Sequence, residues 1–448
     1  MRVTKLSLIA ALLIGSSVFA IENTKVSGNA KLYYGTQDSD AENAPNLFTK
    51  ESAYTNFAAR LDLTTDLTKG VSAGVGTQVV TTLGVEHNLV DKVWSNAHTV
   101  SDSTGASFAN ALGGKQVDSA MWFDEVWLAG SAFDTTLKIG RQSLDTPFAF
   151  TESWGVDKNT FEAGVLINQS IPSTTLVATF IGKSNGSADD RTSTREGGAG
   201  TFNLRDIGAT AAGYVAADGT FSTFGTQGTY AFGIINNSFK PLTVQAWYYD
   251  MVDFAQAYWL QADAKCSKIE GLSVGVQYAN TDLDKRANIG GATGVIGVDT
   301  KDTSAWAAMV GYAMKDVATF KAAYSDVSDD GTLGMANTAT GSIATVGGQS
   351  KLYTEMWWNY GYVSAVGAES YALSAETKLA GVDFLLGYYN ADIAKDSTLF
   401  AKEELTEVAL VASKKFGPLA TSLALIHGDR EVEDVRTTDV QIYLTYNF

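Results

Sequence analysis

Cysteine, histidine, basic charge and long apolar runs are all scarce in this chain of 448 residues. Cys266 is the only cysteine, which excludes a disulfide framework and a thiolate metal cluster. The three histidines, His87, His98 and His427, follow neither HExxH nor any paired-ligand spacing. No GxSxG elbow and no GxxxxGKS/T phosphate cradle occurs. His427 near Ser422 is the one nucleophile–base pairing on offer, and it is a poor one. The expectation is a protein that is not an enzyme. Lys and Arg number 32 against 49 Asp and Glu, a net charge of −17. Nucleic-acid binding depends on cations that neutralise phosphates, so no such partner is expected.

The only sustained apolar run, Leu6–Gly15, is too short for a bilayer, which takes about 20 helical residues. It follows Arg2 and Lys5 and precedes Val18-Phe19-Ala20, the layout of an export signal cut after Ala20. Residues 1–20 are therefore expected to be the signal and 21–448 one domain.

What is present is alternation. Hydrophobic residues make up 45% of the chain but are dispersed in segments of period two. The last segment, Thr438–Phe448, puts Val440, Ile442, Leu444, Tyr446 and Phe448 on one face and Gln441, Tyr443, Thr445 and Asn447 on the other. The pattern recurs in Phe57–Leu63, Leu242–Tyr249 and Tyr258–Cys266, which turns Cys266 outward. Eleven alternating residues suit a tilted strand crossing a bilayer, and a terminal aromatic strand resembles the assembly signal of outer-membrane barrels. An all-β transmembrane barrel is expected, apolar side to lipid.

Short turn signals at Leu67–Gly70, Ser131–Asp134, Asn236–Pro241, Ser267–Gly271, Met314–Asp316, Lys378–Gly381 and Lys414–Pro418 alternate with long polar stretches. Short periplasmic turns and long extracellular loops are the barrel layout. The count comes to about eighteen strands, with sixteen as the fallback, wide enough for an aqueous lumen. Aromatics such as Tyr33-Tyr34, Trp247–Tyr249, Tyr258-Trp259, Trp357-Trp358 and Tyr388-Tyr389 are read as interfacial girdles. Ser325–Gly348, rich in Asp, Gly, Ser, Thr and Ala, is read as a solvated loop, which argues against adhesion to other cells.

The segment Thr135–Gly182 pairs a strand ending in Gly140-Arg141-Gln142 with a second one opening Asn159-Thr160-Phe161-Glu162. Between them lies a loop carrying Asp145, Pro147, Glu152, Trp154 and Asp157. This resembles the third-loop region of OprD-type porins and of the major outer-membrane porins of campylobacter-like bacteria. The resemblance implies an eighteen-stranded homotrimeric channel whose third loop folds into the lumen. It places Asp145, Glu152, Asp157 and Lys158 at the narrowest point. Inward parity adds Arg60, Asp62, Glu125, Lys138 and Glu162 from the wall.

Six carboxylates against three cations predict a weak cation preference in a passive channel for ions and small hydrophilic solutes. A substrate-selective channel and a surface adhesin are the alternatives. The loop departs from the OprD pattern at Val156-Asp157-Lys158, where a basic residue and proline are usual, which favours a general channel. No resident cofactor is expected. Ca2+ enters only if Asp145, Glu152 and Asp157 converge, and no EF-hand spacing accompanies them.

Overall fold

The computed structural model describes residues 22–49, 52–81, 120–186, 221–224, 227–284, 301–340, 348–393, 402–432 and 434–448. The expected export signal and the segment with His87 and His98 lie outside these residues. Apart from one short 3-10 turn, Tyr360–Tyr362, the described regular structure is all strand. In order come β1 (Glu22–Ser39), β2 (Ala53–Thr68), β3 (Val71–Thr81), β4 (Ala120–Ala132), β5 (Thr135–Gln142), β6 (Phe161–Asn168) and β7 (Thr174–Ser184). Next are β8 (Ser222–Thr223), β9 (Thr229–Asn236), β10 (Leu242–Met251), β11 (Ala255–Lys265), β12 (Leu272–Leu283) and β13 (Thr303–Met314). The last are β14 (Ala318–Val327), β15 (Ala368–Leu379), β16 (Val382–Ile393), β17 (Glu403–Phe416), β18 (Leu419–Arg430) and β19 (Val435–Asn447).

Neighbours in sequence pair antiparallel, and β1 pairs with both β2 and β19. β7 pairs with β9 past the two-residue β8. The sheet therefore closes on itself as a ring of eighteen strands, not the fallback sixteen. Closure leaves no ladder edge without a partner, the condition for a β structure in lipid. No described helix is long and apolar enough to cross a membrane.

The seam is tight. The Gly28 amide donates to the Phe448 carbonyl at 2.9 Å, and the Phe448 amide donates back to Gly28 at 3.0 Å. A Cβ at residue 28 would strike the Arg60 carbonyl and the Phe448 ring, so the position requires glycine.

Parity sorts the side chains as expected along most strands. On β11, Tyr258 and Leu260 are exposed on the outer face, whereas Ala257 and Trp259 are buried inside. The exposed set on neighbouring strands, including Phe232, Ile234, Val276, Val310 and Leu373, makes the outer wall apolar. Cys266 falls just past the end of β11, in the turn, where its sulfur accepts from the Ile269 amide at 3.4 Å.

The aromatic doublets need correction, because parity splits them. Tyr258 and Tyr388 face outward, as a girdle requires, but Tyr33, Trp247, Tyr249, Trp259 and Tyr389 are buried inside. Adjacent residues on a strand cannot share a face.

Eight short turns lie at one rim, including residues 169–173, which the turn signals missed. The opposite rim carries the long connections, apart from tight ones at 252–254 and 431–434.

Two connections do not stay at the rim. The third, residues 143–160, enters the lumen as expected. The seventh, in its described residues 328–340 and 348–367, enters it too, which overturns the solvated reading for the described part of Ser325–Gly348. Leu333, Met335, Asn337 and Ala339 are all buried. Small, uncharged side chains are as compatible with close packing as with water, and here they pack.

Candidate functional site

The third connection begins as a hairpin. Thr146, Pro147, Phe148 and Ala149 form its turn, with the Thr146 amide donating to the Ala149 carbonyl at 3.1 Å. Pro147 supplies the fixed φ that such a turn favours at its second position. The turn drives Phe148 into the wall, edge-on to Tyr249 and Trp259 with ring centroids 5.5 Å away in each case. Further along, Val156 packs against Tyr33, Ala58, Val80 and Trp122 on β1 to β4, and Lys31 donates to the Gly155 carbonyl at 3.1 Å. β10–β11 and β1 lie about half-way round the ring from each other. The loop therefore crosses the lumen from wall to wall.

The seventh connection holds it there. Asn337 donates from its amide to the Phe150 carbonyl and to Glu152 Oε1, both at 2.9 Å. Thr340 also donates to Glu152, and Thr338 donates to the Phe148 carbonyl at 2.5 Å. Trp154 meets Trp358 edge-on at 5.5 Å. The seventh connection is itself anchored by Glu407 on β17, which accepts the amides of Trp357, Trp358 and Asn359 at 2.8–3.1 Å. The wall opposite is made of alanines, among them Ala257, Ala279, Ala307, Ala391, Ala409 and Ala424, all buried beneath the loops. Alanine at an inward position leaves room for an inserted loop.

The arc from β1 to β5 is different, being charged and partly open. Arg60 is its hub, paired with Asp62 at 2.5 Å, Glu125 at 3.3 Å and the fully buried Asp124. Glu125 also accepts from Lys158 at 2.5 Å, and Lys158 donates to Ser143 at 2.8 Å. Strict alternation would turn Asp124 or Glu125 away. The β3–β4 register shifts there, Gly76 facing Glu125 and Thr77 facing Phe123, so Asp124 is an extra residue in a bulge. A bulge aims two consecutive side chains at one side. Lys138 lies over the Trp127 ring at 4.3 Å. Burial, with Arg60 adding to it, pushes the Lys158 ammonium below its ordinary range, and Glu125 pulls it back.

The remaining expected site residues separate. Asp145 is 84% exposed and pairs with Lys351 at 2.7 Å. Glu152 and Asp157 are 5% and 2% exposed. Burial raises the Glu152 carboxyl above its ordinary range, against the hydrogen bonds from Thr340 and Asn337. Its place is between the two loops rather than toward water. Glu162 lies between the inward Phe161 and Ala163, so it takes the outer face, where Arg141 at 2.9 Å and Lys183 at 3.6 Å meet it. The inward place expected for Glu162 is thus corrected: its cross-strand partner Arg141 shares a face of β5 with the exposed Leu137 and Ile139.

Among the described residues no group of three or more His, Cys, Asp or Glu is placed to hold a metal ion. Asp145, Glu152 and Asp157 thus form no Ca2+ cage. His427 faces Thr438 at 3.4 Å and Ser422 bonds Ser413 at 2.9 Å, so the one weak nucleophile–base pairing does not form.

Sequence reasoning missed Lys31, Asp124, Lys351, Glu407 and the whole seventh connection. The inward alanines were the available signal, since a water-filled lumen wants polar groups where they stand.

No family model and no curated protein matches the chain. Solved structures do. OccAB1 of Acinetobacter baumannii has 13% identity and a TM-score of 0.68, over 96% of this chain and 98% of that one. OccK9 (OpdG) of Pseudomonas aeruginosa has 15% and 0.66, over 95% and 98%. OpdK of the same organism, crystallised with vanillate, has 11% and 0.65, over 95% and 99%. A barrel closed by eighteen strands, with its third connection laid across the lumen, is the fold of the OprD-type channels that the sequence resembles.

Proposed function

We propose that the chain is an outer-membrane porin, a passive channel for small hydrophilic solutes and ions. The observation that carries this is a closed barrel, apolar outside, whose inserted loops pack on the wall and leave charged side chains, among them Asp62, Glu125 and Lys158, partly open to the lumen. The structural neighbours, one of them holding vanillate, support passage of small molecules. The homotrimer rests on the family resemblance and is testable by mass measurement in detergent.

The cation preference expected from sequence loses its basis. Of six carboxylates, Glu152 and Asp157 are buried and Glu162 is on the outer face. Asp62, Glu125 and Asp145 remain, against Arg60, Lys138 and Lys158, which Lys31 and Lys351 now join. Our reading is a weakly selective lumen of opposed charges that orient dipolar solutes. The cations gathered beside the third loop, Arg60, Lys138, Lys158, Lys31 and Lys351, favour, as a second reading, a channel selective for small organic anions.

Single-channel recording in a planar bilayer under a salt gradient tests both. Stepwise ohmic openings with a small reversal potential support the general channel. Block of the current by millimolar vanillate supports the second reading, and folded protein without conductance rules out both.

A further inference from the structure

The short-turn rim carries a feature that neither the lumen nor the channel reading uses. Every one of its eight turns exposes one large apolar side chain in or beside it. Phe133, at a turn tip, is 95% exposed, and Phe239 is 71% exposed. Ile171, Ile269 and Val317 occupy the turns of their hairpins, Leu379 and Phe416 end their strands, and Leu67 is next to last in its own. Tight turns favour Gly, Asn and Asp. An apolar residue repeated eight times around one rim is therefore not turn chemistry.

Charge accompanies it. In six of the eight turns a lysine lies within two residues of the apolar side chain: Lys69, Lys240, Lys268, Lys315, Lys378, and Lys414 with Lys415. Lys378 pairs with Asp383 at 2.9 Å, and none of the others forms an ion pair among the described residues. Lys414 lies 5.3 Å from the Phe416 ring centroid, its stem along the apolar surface. The chain as a whole is acidic, and the connections of the opposite rim carry Asp253, Asp284, Asp329, Asp330, Glu431 and Asp434. The short-turn rim also carries Asp66, Asp134, Glu270, Asp316 and Asp383, but Lys69, Lys240, Lys265, Lys268, Lys315, Lys378, Lys414 and Lys415 outnumber them, so this end of an acidic molecule is net basic.

We infer that this rim is a docking collar for anionic phospholipid headgroups, on the leaflet that the short turns meet. The apolar side chains continue the outer wall into the acyl boundary, and the lysines extend from there to the phosphates, as long cationic side chains do at interfaces. Charge complementarity selects this occupant: a headgroup layer offers apolar and anionic surface together, all the way round a ring. The inference rests on the reading of the chain as a membrane-embedded barrel.

The full chain is folded into vesicles of phosphatidylcholine alone and of phosphatidylcholine with phosphatidylglycerol, and the thermal unfolding midpoint is read in each. The expected result is a higher midpoint with phosphatidylglycerol. That gain disappears at high salt, and it disappears in the variant K69Q/K240Q/K268Q/K315Q/K414Q, whose midpoint in phosphatidylcholine is unchanged. An equal midpoint for wild type in both lipids, or a gain that salt leaves intact, overturns the collar. The salt arm needs only wild type, so a variant that fails to insert does not shield the inference. Conductance recorded on the phosphatidylcholine sample keeps the two readings apart. A silent barrel with a lipid-dependent midpoint counts against the channel alone. A conducting barrel indifferent to lipid charge counts against the collar alone.

Discussion

Arg60 shows how much one lumenal residue can carry. It has three carboxylates within ion-pair reach, and one of them, Asp124, is fully buried. A buried carboxylate that loses its cation costs about 3–5 kcal/mol, more than the pair itself is worth. Arg60→Ala should therefore destabilise the barrel by roughly that amount in denaturant unfolding, and Asp62→Asn by much less. Equal effects would show that Asp124 does not depend on the guanidinium. Lys158 acts on traffic instead. Lys158→Gln leaves the Glu125 carboxylate short of a partner, so the reversal potential in a salt gradient should move toward cations. An unchanged potential would place Glu125 away from the ion path. Neither Asp124 nor the bulge that presents it was legible in the sequence, because alternation has no means of marking an extra residue.

At the scale of elements, the third connection is held by the seventh, and the seventh by Glu407. Glu407→Ala strands three backbone amides, a cost on the order of 3 kcal/mol, and should loosen residues 328–367. The expected record is a larger, noisier single-channel current, with Glu407→Gln intermediate. A quiet current of wild-type size would mean that the alanine-lined wall alone retains the loop.

Glu152, between these loops, and Glu355, bonded to Ser350 within the seventh, set a pH dependence. Burial holds Glu152 and Glu355 above the ordinary glutamate range, Glu355 well above it. A raised acid contributes its stability fully below the ordinary value and loses it as pH climbs through the raised one. Wild type should lose thermal stability from acid toward alkaline pH, and Glu152→Gln with Glu355→Gln should flatten the profile. A parallel decline in the variant would assign the loss to other groups.

The sequence was legible here where periodicity reigns. Seven of the eight short turns, the strand after the third connection and the C-terminal strand are where the pattern placed them. It was illegible where packing decides: the seventh connection reads as solvated because Ala, Gly, Ser and Thr suit either setting. The candidate site was half legible, for the same reason. Residue type named Glu152 and Asp157, but only the fold shows that neighbours rather than water surround them.

For the molecule as a whole, closure is the decisive event, and it takes place where the first strand meets the last. Gly28 leaves space for the Phe448 ring and the Arg60 carbonyl at that seam. Gly28→Leu should reduce the yield of heat-modifiable barrel, read as the folded fraction on a gel without boiling. A normal yield would show that the seam can widen by a side chain.

The two inward loops also make the channel one-sided. A solute descending the barrel meets the charged groups of β2 to β5 and is kept by packed loop from the buried alanines of β11 to β18. Function and stability should accordingly be divided by azimuth rather than by depth. Substitutions at Glu125, Lys138 and Lys158 on the first arc change what passes, and those of the buried alanines on the second change whether the protein folds. Selectivity can then drift over a few wall positions while the scaffold opposite them stays constant.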